Sequence, residues 1–311
     1  MSSRAWLEYV VTEADAGMTV EQIVREKLSV SGRMLQRLTR SKGIQLNRKA
    51  PFLKRQVKVG DRVAVRVADQ TGTRQDTPSI PFDEKPPVPI LYEDDLFVIV
   101  DKPSGMPVHP TNQGQTGTLT QQLEGYFLAK RATPHAVHRL DKETSGTVLI
   151  AKSSYAHQLA DKILRDNQVD REYIAIVTGQ VTGQQGTLNQ PIARDPHHAT
   201  KRRVHASGDS AITHYEVITT TDNYSLVKIK LETGRTHQIR VHLQAFGHPL
   251  AGDTLYGAKK AGIHRVALHA NRLTFAHPVT NERVDAHAPL PLDMASFVQE
   301  AFPSLPSENL K

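Results

Sequence analysis

The chain has 311 residues, of which 39 are lysine or arginine and 32 are aspartate or glutamate, so its formal net charge is +7. It contains no cysteine, which excludes disulfides, thiolate metal sites, iron–sulfur clusters and cysteine nucleophiles. No apolar run approaches the roughly 20 residues that a membrane-spanning helix needs, and acids interrupt the N-terminus where a signal peptide would be apolar. We therefore expect a cytoplasmic globular protein of one large or two unequal domains.

The excess positive charge lies in the first 70 residues. This segment has 14 lysines and arginines against 7 acidic residues, whereas the remaining 241 residues carry 25 of each. A basic segment that holds a protein's whole excess charge is typical of a module that binds the phosphate backbone of a nucleic acid. The sequence thus predicts an N-terminal nucleic-acid-binding module over residues 1–70, with a merely solvated basic surface as the alternative.

Two amphipathic helices and two short strands are predicted in this module. Residues 19–29 and 31–42 each place apolar side chains on one face, and residues 44–46 and 62–67 are typical of strands. The arrangement resembles the alpha-L RNA-binding fold, which occurs in a ribosomal small-subunit protein and in RNA-modifying enzymes. Three arginines of the second helix are therefore expected to contact RNA: Arg33, Arg37 and Arg40.

A larger domain is predicted over residues 90–300. Residues 71–89 are polar and proline-rich without helical periodicity, which indicates a linker. Strands are predicted at 96–100, 146–152, 172–179, 211–221 and 225–232, with a final pair at 264–270 and 272–278. Helices are predicted at 157–166 and from about Thr236 to Phe246. The excess of strands favours an α+β fold with a mixed or antiparallel sheet over a doubly wound parallel one.

Two polar motifs adjoin predicted elements of this domain. His138–Gly146 (HRLDKETSG) precedes a strand and presents Asp141 in a loop, although most loop aspartates are ordinary turn residues. Gly234–His242 (GRTHQIRVH) begins a helix and places Arg235 at its start. An arginine there could pair with a carboxylate and keep it ionised, or form a surface ion pair of little consequence.

Four motifs together resemble the RluA-type family of RNA pseudouridine synthases. Asp101–Pro110 (DKPSGMPVHP) and His248–Gly257 (HPLAGDTLYG) complete the set, and the resemblance covers about residues 90–290. It implies that the N-glycosidic bond of a uridine within RNA is cleaved, the base rotated and then rejoined through C5. Because that reaction is redox-neutral and involves no net hydrolysis, we expect neither a cofactor nor a metal.

The resemblance also implies roles for individual residues. The family's essential aspartate falls on Asp141, which attacks the ribose or the base or acts on a ribose proton; the sequence leaves these routes open. Tyr173 would stack on the uracil and help to remove the C5 proton. Arg235 would pair with Asp141, and Arg139 would fill the gap that the flipped base leaves in the RNA stack.

A basic loop and a set of histidines call for separate interpretation. Lys201, Arg202 and Arg203 lie together in the segment 194–205, and we expect a second RNA contact there rather than a merely solvated loop. The spacing of five and six residues between His237, His242 and His248 does not match helical metal ligation, so packing or RNA contacts are favoured.

The substrate and two other functional classes remain open at this point. The basic module favours large-subunit ribosomal RNA, with transfer RNA as the alternative, and a monomer is expected. A catalytically inactive RNA-binding or ribosome-assembly protein would have no chemical need for the combination of Asp141, Tyr173 and Arg235. A nucleoside hydrolase or glycosidase would normally use two acids or a metal.

Overall fold

The structure is a computed structural model, and it describes residues 6–69, 85–259 and 262–305. The N-terminal module has a small antiparallel sheet of its own, in the order β1-β3-β2. Its elements are β1 (Trp6–Val10), α1 (Val20–Gln22), a π-helical segment (Ile23–Lys27), α2 (Gly32–Arg40), β2 (Ile44–Leu46) and β3 (Arg62–Arg66). The two amphipathic helices and strands β2 and β3 were predicted, whereas β1 was not. Residues 70–84, which hold most of the predicted linker, lie outside the described residues, so the domain boundaries stay a prediction.

The second sheet is mixed and has ten strands. Its main path runs β4-β5-β7-β14-β8-β13-β12-β9, while β6 pairs with β7 and β15 pairs with β14. Only β7 and β14 run parallel among the described pairs, which confirms the predicted α+β class. The elements after the module are β4 (Ile90–Glu93), β5 (Phe97–Lys102), α3 (Leu119–Ala129), β6 (His135–Ala136), β7 (Ser145–Ala151), α4 (Ser154–Arg165), β8 (Val169–Thr178), β9 (Gln185–Asn189), β10 (Ile192–Arg194), β11 (Arg202–Val204), β12 (Ile212–Thr220), β13 (Tyr224–Leu231), α5 (Gln238–Ala245), β14 (Leu268–Ala276), β15 (Arg283–His287) and α6 (Leu292–Ala301).

The predicted strand pair near the C-terminal end is wrong. Residues 268–276 form the single strand β14, and its hairpin partner is β15. Asn271 and Arg272 are half-buried between two fully buried runs, and the pairing of β14 with β8 shifts register between His269 and Arg272. Two polar residues at a β-bulge therefore gave the sequence pattern expected of a turn between two strands.

Alternate residues of the central strands build two cores on opposite faces of the sheet. Phe97 and Ile99 belong to the cluster that contains α4, whereas Val98 and Val100 belong to the cluster that contains α3. This alternation follows from the two-residue period of a strand. The longest α-helix of the described ranges, α4, has 12 residues, and no helix in those ranges combines the length and apolarity that crossing a bilayer would take.

The N-terminal module packs directly on α4. Buried apolar side chains from both parts form one continuous cluster. The buried Tyr155 hydroxyl donates to the Leu28 carbonyl oxygen at 2.8 Å. Gln158 accepts from the backbone N (3.0 Å) and the hydroxyl (2.6 Å) of Ser31 and donates to the Ser29 carbonyl oxygen at 2.6 Å. The described part of the module therefore shares a core with the large domain.

Candidate active site

Asp141 lies in the loop between β6 and β7, on the wall of a cavity of about 530 Å³. Its side chain is 18% exposed. Backbone and hydroxyl groups from the Asp101–Pro110 motif hold the loop: Gly105 N donates to the Lys142 carbonyl oxygen (2.9 Å) and Ser104 Oγ to that of Glu143 (2.8 Å). Residues of one motif thus hold the loop of the other motif, which carries Asp141, in place.

A fully buried lysine reinforces this attachment. Lys102 Nζ donates to the carbonyl oxygens of Pro103 (2.9 Å), Met106 (2.8 Å) and Lys142 (3.3 Å), which uses all three of its protons. Burial lowers the pKa of Lys102 to about 8, with the negative charges of Glu143 and Asp141 opposing the shift. The amine is therefore largely protonated at neutral pH and ties two loops together beside Asp141.

Gly146 lets the Asp141 loop enter the sheet next to β14. Its φ is +114°, and a Cβ atom there would overlap the Ala270 carbonyl group across the parallel pair of β7 and β14. Only glycine avoids both the backbone strain and the overlap. The position of Asp141, five residues earlier, depends on this close approach of two backbones.

Arg240 is the arginine that contacts Asp141. Its Nη1 lies 3.4 Å from Asp141 Oδ2, while its Nε and Nη2 donate to Asp253 at 2.7 and 2.8 Å. Arg240 and Asp253 are both buried, at 8% and 1% exposure. A bidentate pair of this kind fixes the plane of a guanidinium, so Asp253 orients Arg240 toward Asp141.

The predicted pairing of Arg235 with Asp141 is wrong. Arg235 lines the cavity but is exposed, and its Nε donates to the Ser210 carbonyl oxygen at 3.0 Å. Helix α5 begins at Gln238, after His237 has adopted a left-handed conformation with φ +59°, rather than near Thr236 as predicted. Arg235 therefore lies in the preceding turn, and Arg240 is the arginine that the helix turns inward.

Tyr256 backs the charged pair. The Arg240 guanidinium lies 5.0 Å from the centre of its ring, and its hydroxyl is 2.9 Å from His237 Nδ1 and accepts from Arg202 N at 2.9 Å. His237 Nε2 lies 3.9 Å from Asp141 Oδ2. Burial lowers the pKa of His237, although Asp141 opposes that shift. The HPLAGDTLYG motif thus supplies Asp253 and Tyr256, the two residues that support Arg240.

Tyr173 lines the same cavity as Asp141, as the sequence predicts. It lies on β8 and is 5% exposed. Burial raises the pKa of its hydroxyl; the positive charge of Arg171 opposes the shift and the negative charge of Asp141 adds to it. The hydroxyl is therefore protonated at neutral pH, and the ring offers a rigid apolar wall.

Positive charge dominates the cavity. Two acids line it, Asp141 and Glu232, and Glu232 is bonded to His214 at 2.6 Å. Arg139 lines the cavity and is exposed, as its predicted contact with RNA requires. The arginines on the wall are Arg139, Arg165, Arg171, Arg235 and Arg240.

The predicted RNA-contact residues outside the cavity fall into two places. Lys201 and Arg202 both contact Tyr256: Lys201 Nζ lies 5.5 Å from its ring centre, and Arg202 N donates to its hydroxyl. Arg203 is exposed on β11. A second cavity of about 470 Å³ contains Arg202 and shares Arg235 with the first. The other place is the exposed side of α2, which carries Arg33, Arg37 and Arg40.

The three histidines that sequence spacing disfavours as metal ligands do not converge. His242 uses both ring nitrogens, with Thr213 Oγ1 and the Gln190 carbonyl oxygen, each at 2.9 Å. His248 Nδ1 bonds the Thr178 carbonyl oxygen at 3.0 Å. No group of three or more histidine, aspartate or glutamate side chains in the described ranges is placed to hold a metal ion.

Comparison with known proteins identifies the family. Residues 96–245 match the family model described as RNA pseudouridylate synthase. The chain is 37% identical over 300 residues to the Bacillus subtilis uncharacterized RNA pseudouridine synthase YhcT, covering 95% of this chain and 97% of that one. It is 36% identical over 316 residues to the Nitrosomonas europaea ribosomal large subunit pseudouridine synthase D, covering 98% and 90%.

A solved structure agrees with these relatives. Human RNA pseudouridylate synthase domain containing 1 superimposes with a TM-score of 0.57 at 27% identity, covering 68% of this chain and 86% of that one. The relatives extend over nearly the whole chain, and two of the motifs that carry the resemblance, HRLDKETSG and GRTHQIRVH, line one basic cavity with Asp141 on its wall. The chain therefore belongs to the RluA-type family of RNA pseudouridine synthases, which are isomerases.

Proposed function

We propose that this chain isomerises uridine in large-subunit ribosomal RNA, with Asp141 as the catalytic carboxylate. The observation that carries the proposal is the contact of Asp141 with Arg240 on the wall of an arginine-rich cavity. Relatives named ribosomal large subunit pseudouridine synthase D support the choice of RNA, and so does the basic N-terminal module.

The chemistry requires an ionised Asp141 beside the glycosidic bond. The N1–C1′ bond of the flipped uridine breaks and a C5–C1′ bond forms, while C5 loses a proton and N1 gains one, so the atoms balance without a co-reactant. Arg240 favours the ionised carboxylate because it places a positive charge 3.4 Å from Oδ2. Attack on the ribose, attack on the base and removal of a ribose proton all use this same group.

Tyr173 and Arg139 would handle the extracted base. Because the Tyr173 ring lines the cavity, we assign it to stacking on the uracil, and its hydroxyl to relaying the C5 proton. Arg139 is exposed at the cavity wall, and we assign it to the gap that the flipped nucleotide leaves.

The remaining cations are assigned to the RNA backbone. Arg235, in the turn between the two cavities, joins this group in place of its predicted pairing with Asp141. We infer that the protein works as a monomer in the cytoplasm. The other proposed phosphate contacts are Arg33, Arg37, Arg40, Lys201, Arg202 and Arg203.

Pseudouridine mapping tests the proposal. Ribosomal RNA, assembling ribosomal particles and transfer RNA from a strain that lacks the protein would be incubated with the wild type or Asp141→Asn. Carbodiimide adducts and primer-extension stops then locate pseudouridine. We expect new stops in large-subunit ribosomal RNA with the wild type alone. Stops confined to transfer RNA would reassign the substrate, and no stops anywhere would favour an inactive RNA-binding protein. Release of free uracil from uridine would instead indicate a hydrolase.

A further inference from the structure

Arg171 is a half-buried cation with no hydrogen-bond acceptor among the residues that the structure describes. Its side chain lines the Asp141 cavity, and its Nε is buried without a hydrogen-bond partner. Within the described ranges, no carboxylate lies within 4.0 Å of its guanidinium. Since an arginine carries its charge at any physiological pH, a partly buried guanidinium without a carboxylate partner favours binding an anion from outside the protein.

The neighbouring acids are committed elsewhere. Glu172, the next residue, lies on the opposite face of β8, where it binds Lys228 at 2.9 Å and Lys230 at 3.1 Å. Asp141 contacts Arg240. Because successive side chains of a strand point to opposite faces, Glu172 points away from the cavity while Arg171 and Tyr173 both line it.

His138 adds a second buried donor next to Arg171. Leu149 N donates to His138 Nε2 at 3.1 Å, so the neutral ring carries its proton on Nδ1, and that atom is buried without a partner. Burial and the positive charge of Arg171 lower the pKa of His138 to about 3, so the ring does not compete for an anion by becoming a cation itself. Arg171 therefore lies next to a second unpaired donor, and the two acids of the cavity, Asp141 and Glu232, are paired with Arg240 and His214.

We propose that Arg171 binds a phosphate of the substrate RNA strand beside the target uridine. This assignment rests on the proposed function, because it takes RNA as the ligand of the cavity. Phosphates are the anionic groups of RNA, and an unpaired guanidinium prefers an anion to a neutral uracil carbonyl. The two-residue step from Arg171 to Tyr173 along one strand face then sets how far that phosphate lies from the stacked base.

Binding measurements test the assignment without turnover. The Asp141→Asn protein and its Arg171→Ala and Arg171→Lys derivatives would be titrated with a synthetic RNA hairpin that has one uridine in its loop, over a range of KCl concentrations. We expect Arg171→Ala to weaken binding about tenfold at 0.1 M salt. Its plot of log Kd against log salt should be shallower by about one unit, with Arg171→Lys close to the parent. Arg283→Ala is the matched control, because Arg283 is 73% exposed and does not line the cavity.

Single methylphosphonates in the hairpin identify the phosphate. One neutral linkage near the uridine should weaken binding by the parent protein and by Arg283→Ala, but have no further effect on Arg171→Ala. Additive losses at every linkage, or an unchanged salt slope, would overturn the inference. Because these titrations need no isomerisation, a failed mapping experiment and a failed Arg171 assignment give different results.

Discussion

Arg240 is held more tightly by Asp253 than by Asp141. Two hydrogen bonds of 2.7 and 2.8 Å join it to Asp253, whereas a single 3.4 Å contact reaches Asp141. The guanidinium is therefore oriented by a buried carboxylate that has no access to substrate, and the more exposed Asp141 keeps lone pairs free for chemistry. Asp253 thus orients Arg240, and Asp141 remains available for the reaction.

Replacing the two arginines separately should give different kinetic defects. Arg240→Lys loses the bidentate fit to Asp253 and moves charge away from Asp141, so we expect the single-turnover rate to fall on the order of 100-fold at saturating RNA. Arg235→Lys should leave that rate nearly unchanged, and Arg235→Ala should mainly weaken RNA binding. Equal loss of the saturated rate in both arginine variants would restore Arg235 as the partner of Asp141.

Gly146→Ala should damage the site and the fold together. The added methyl group meets the Ala270 carbonyl at a backbone conformation that L-residues rarely adopt. We expect the free energy of unfolding to fall by about 2–4 kcal/mol, as for other substitutions that combine strain with overpacking. Urea denaturation measures this, with Gly183→Ala as the control, because Gly183 shares a positive φ but has open space around it. Similar losses in both variants would refute the close-contact explanation.

Mild acid should destabilise the protein through its buried histidines. Burial lowers the pKa of His269 to about 4 and that of His138 to about 3, from an ordinary 6.5. As the pH falls below 6.5, these two histidines become protonated in the unfolded chain but stay neutral in the folded chain. The free energy of unfolding then declines by up to about 1.4 kcal/mol per pH unit for each histidine.

The His269→Gln variant separates this effect from general acid sensitivity. Between pH 7 and 5 most carboxylates stay ionised, so the histidines dominate the slope. Denaturant melts at pH 7, 6 and 5 should show a shallower decline for His269→Gln than for the wild type. Parallel curves would mean that His269 does not titrate as its burial between Ser145 and Ala288 implies.

The module and the large domain should unfold together. Trp6 is the only tryptophan of the chain and lies in β1, so its fluorescence reports the module, while far-ultraviolet circular dichroism reports mostly the larger domain. Because one core cluster spans both parts, we expect coincident urea transitions. Tyr155→Phe with Gln158→Ala removes the hydrogen bonds that these two side chains make to the module and should shift the fluorescence transition to lower urea. Separate transitions in the wild type would contradict a shared core.

The sequence predicted elements where hydrophobic patterning was continuous. Strand β7 is buried along all seven residues, and α4 and α5 carry clear periodicity, so each was predicted to within a few residues. Helix α3 was missed because Gly125 and the polar pair of Gln121 and Gln122 blur its pattern, although Thr118 and Gln121 form a capping box.

The site was predicted in part for a similar reason. Motifs brought Asp141 and Tyr173 to one cavity, but the choice between Arg235 and Arg240 depends on where α5 begins. That start is set by the left-handed backbone of His237, which no local pattern indicates, since only a few per cent of non-glycine residues adopt that conformation. The apolar neighbours of Arg240, Ile239 and Val241, were the available sign that this arginine turns inward.

The shared core between the module and α4 fixes the distance between two proposed RNA-binding sites. Under the proposed function, the α2 arginines and the Asp141 cavity are two points of contact held at one separation by packed side chains rather than by a tether. An RNA that engages both must present its uridine at that distance from the element that α2 touches. Helices one or two base pairs longer or shorter would satisfy one contact and lose the other, so selection among uridines would rest on spacing as well as on local sequence.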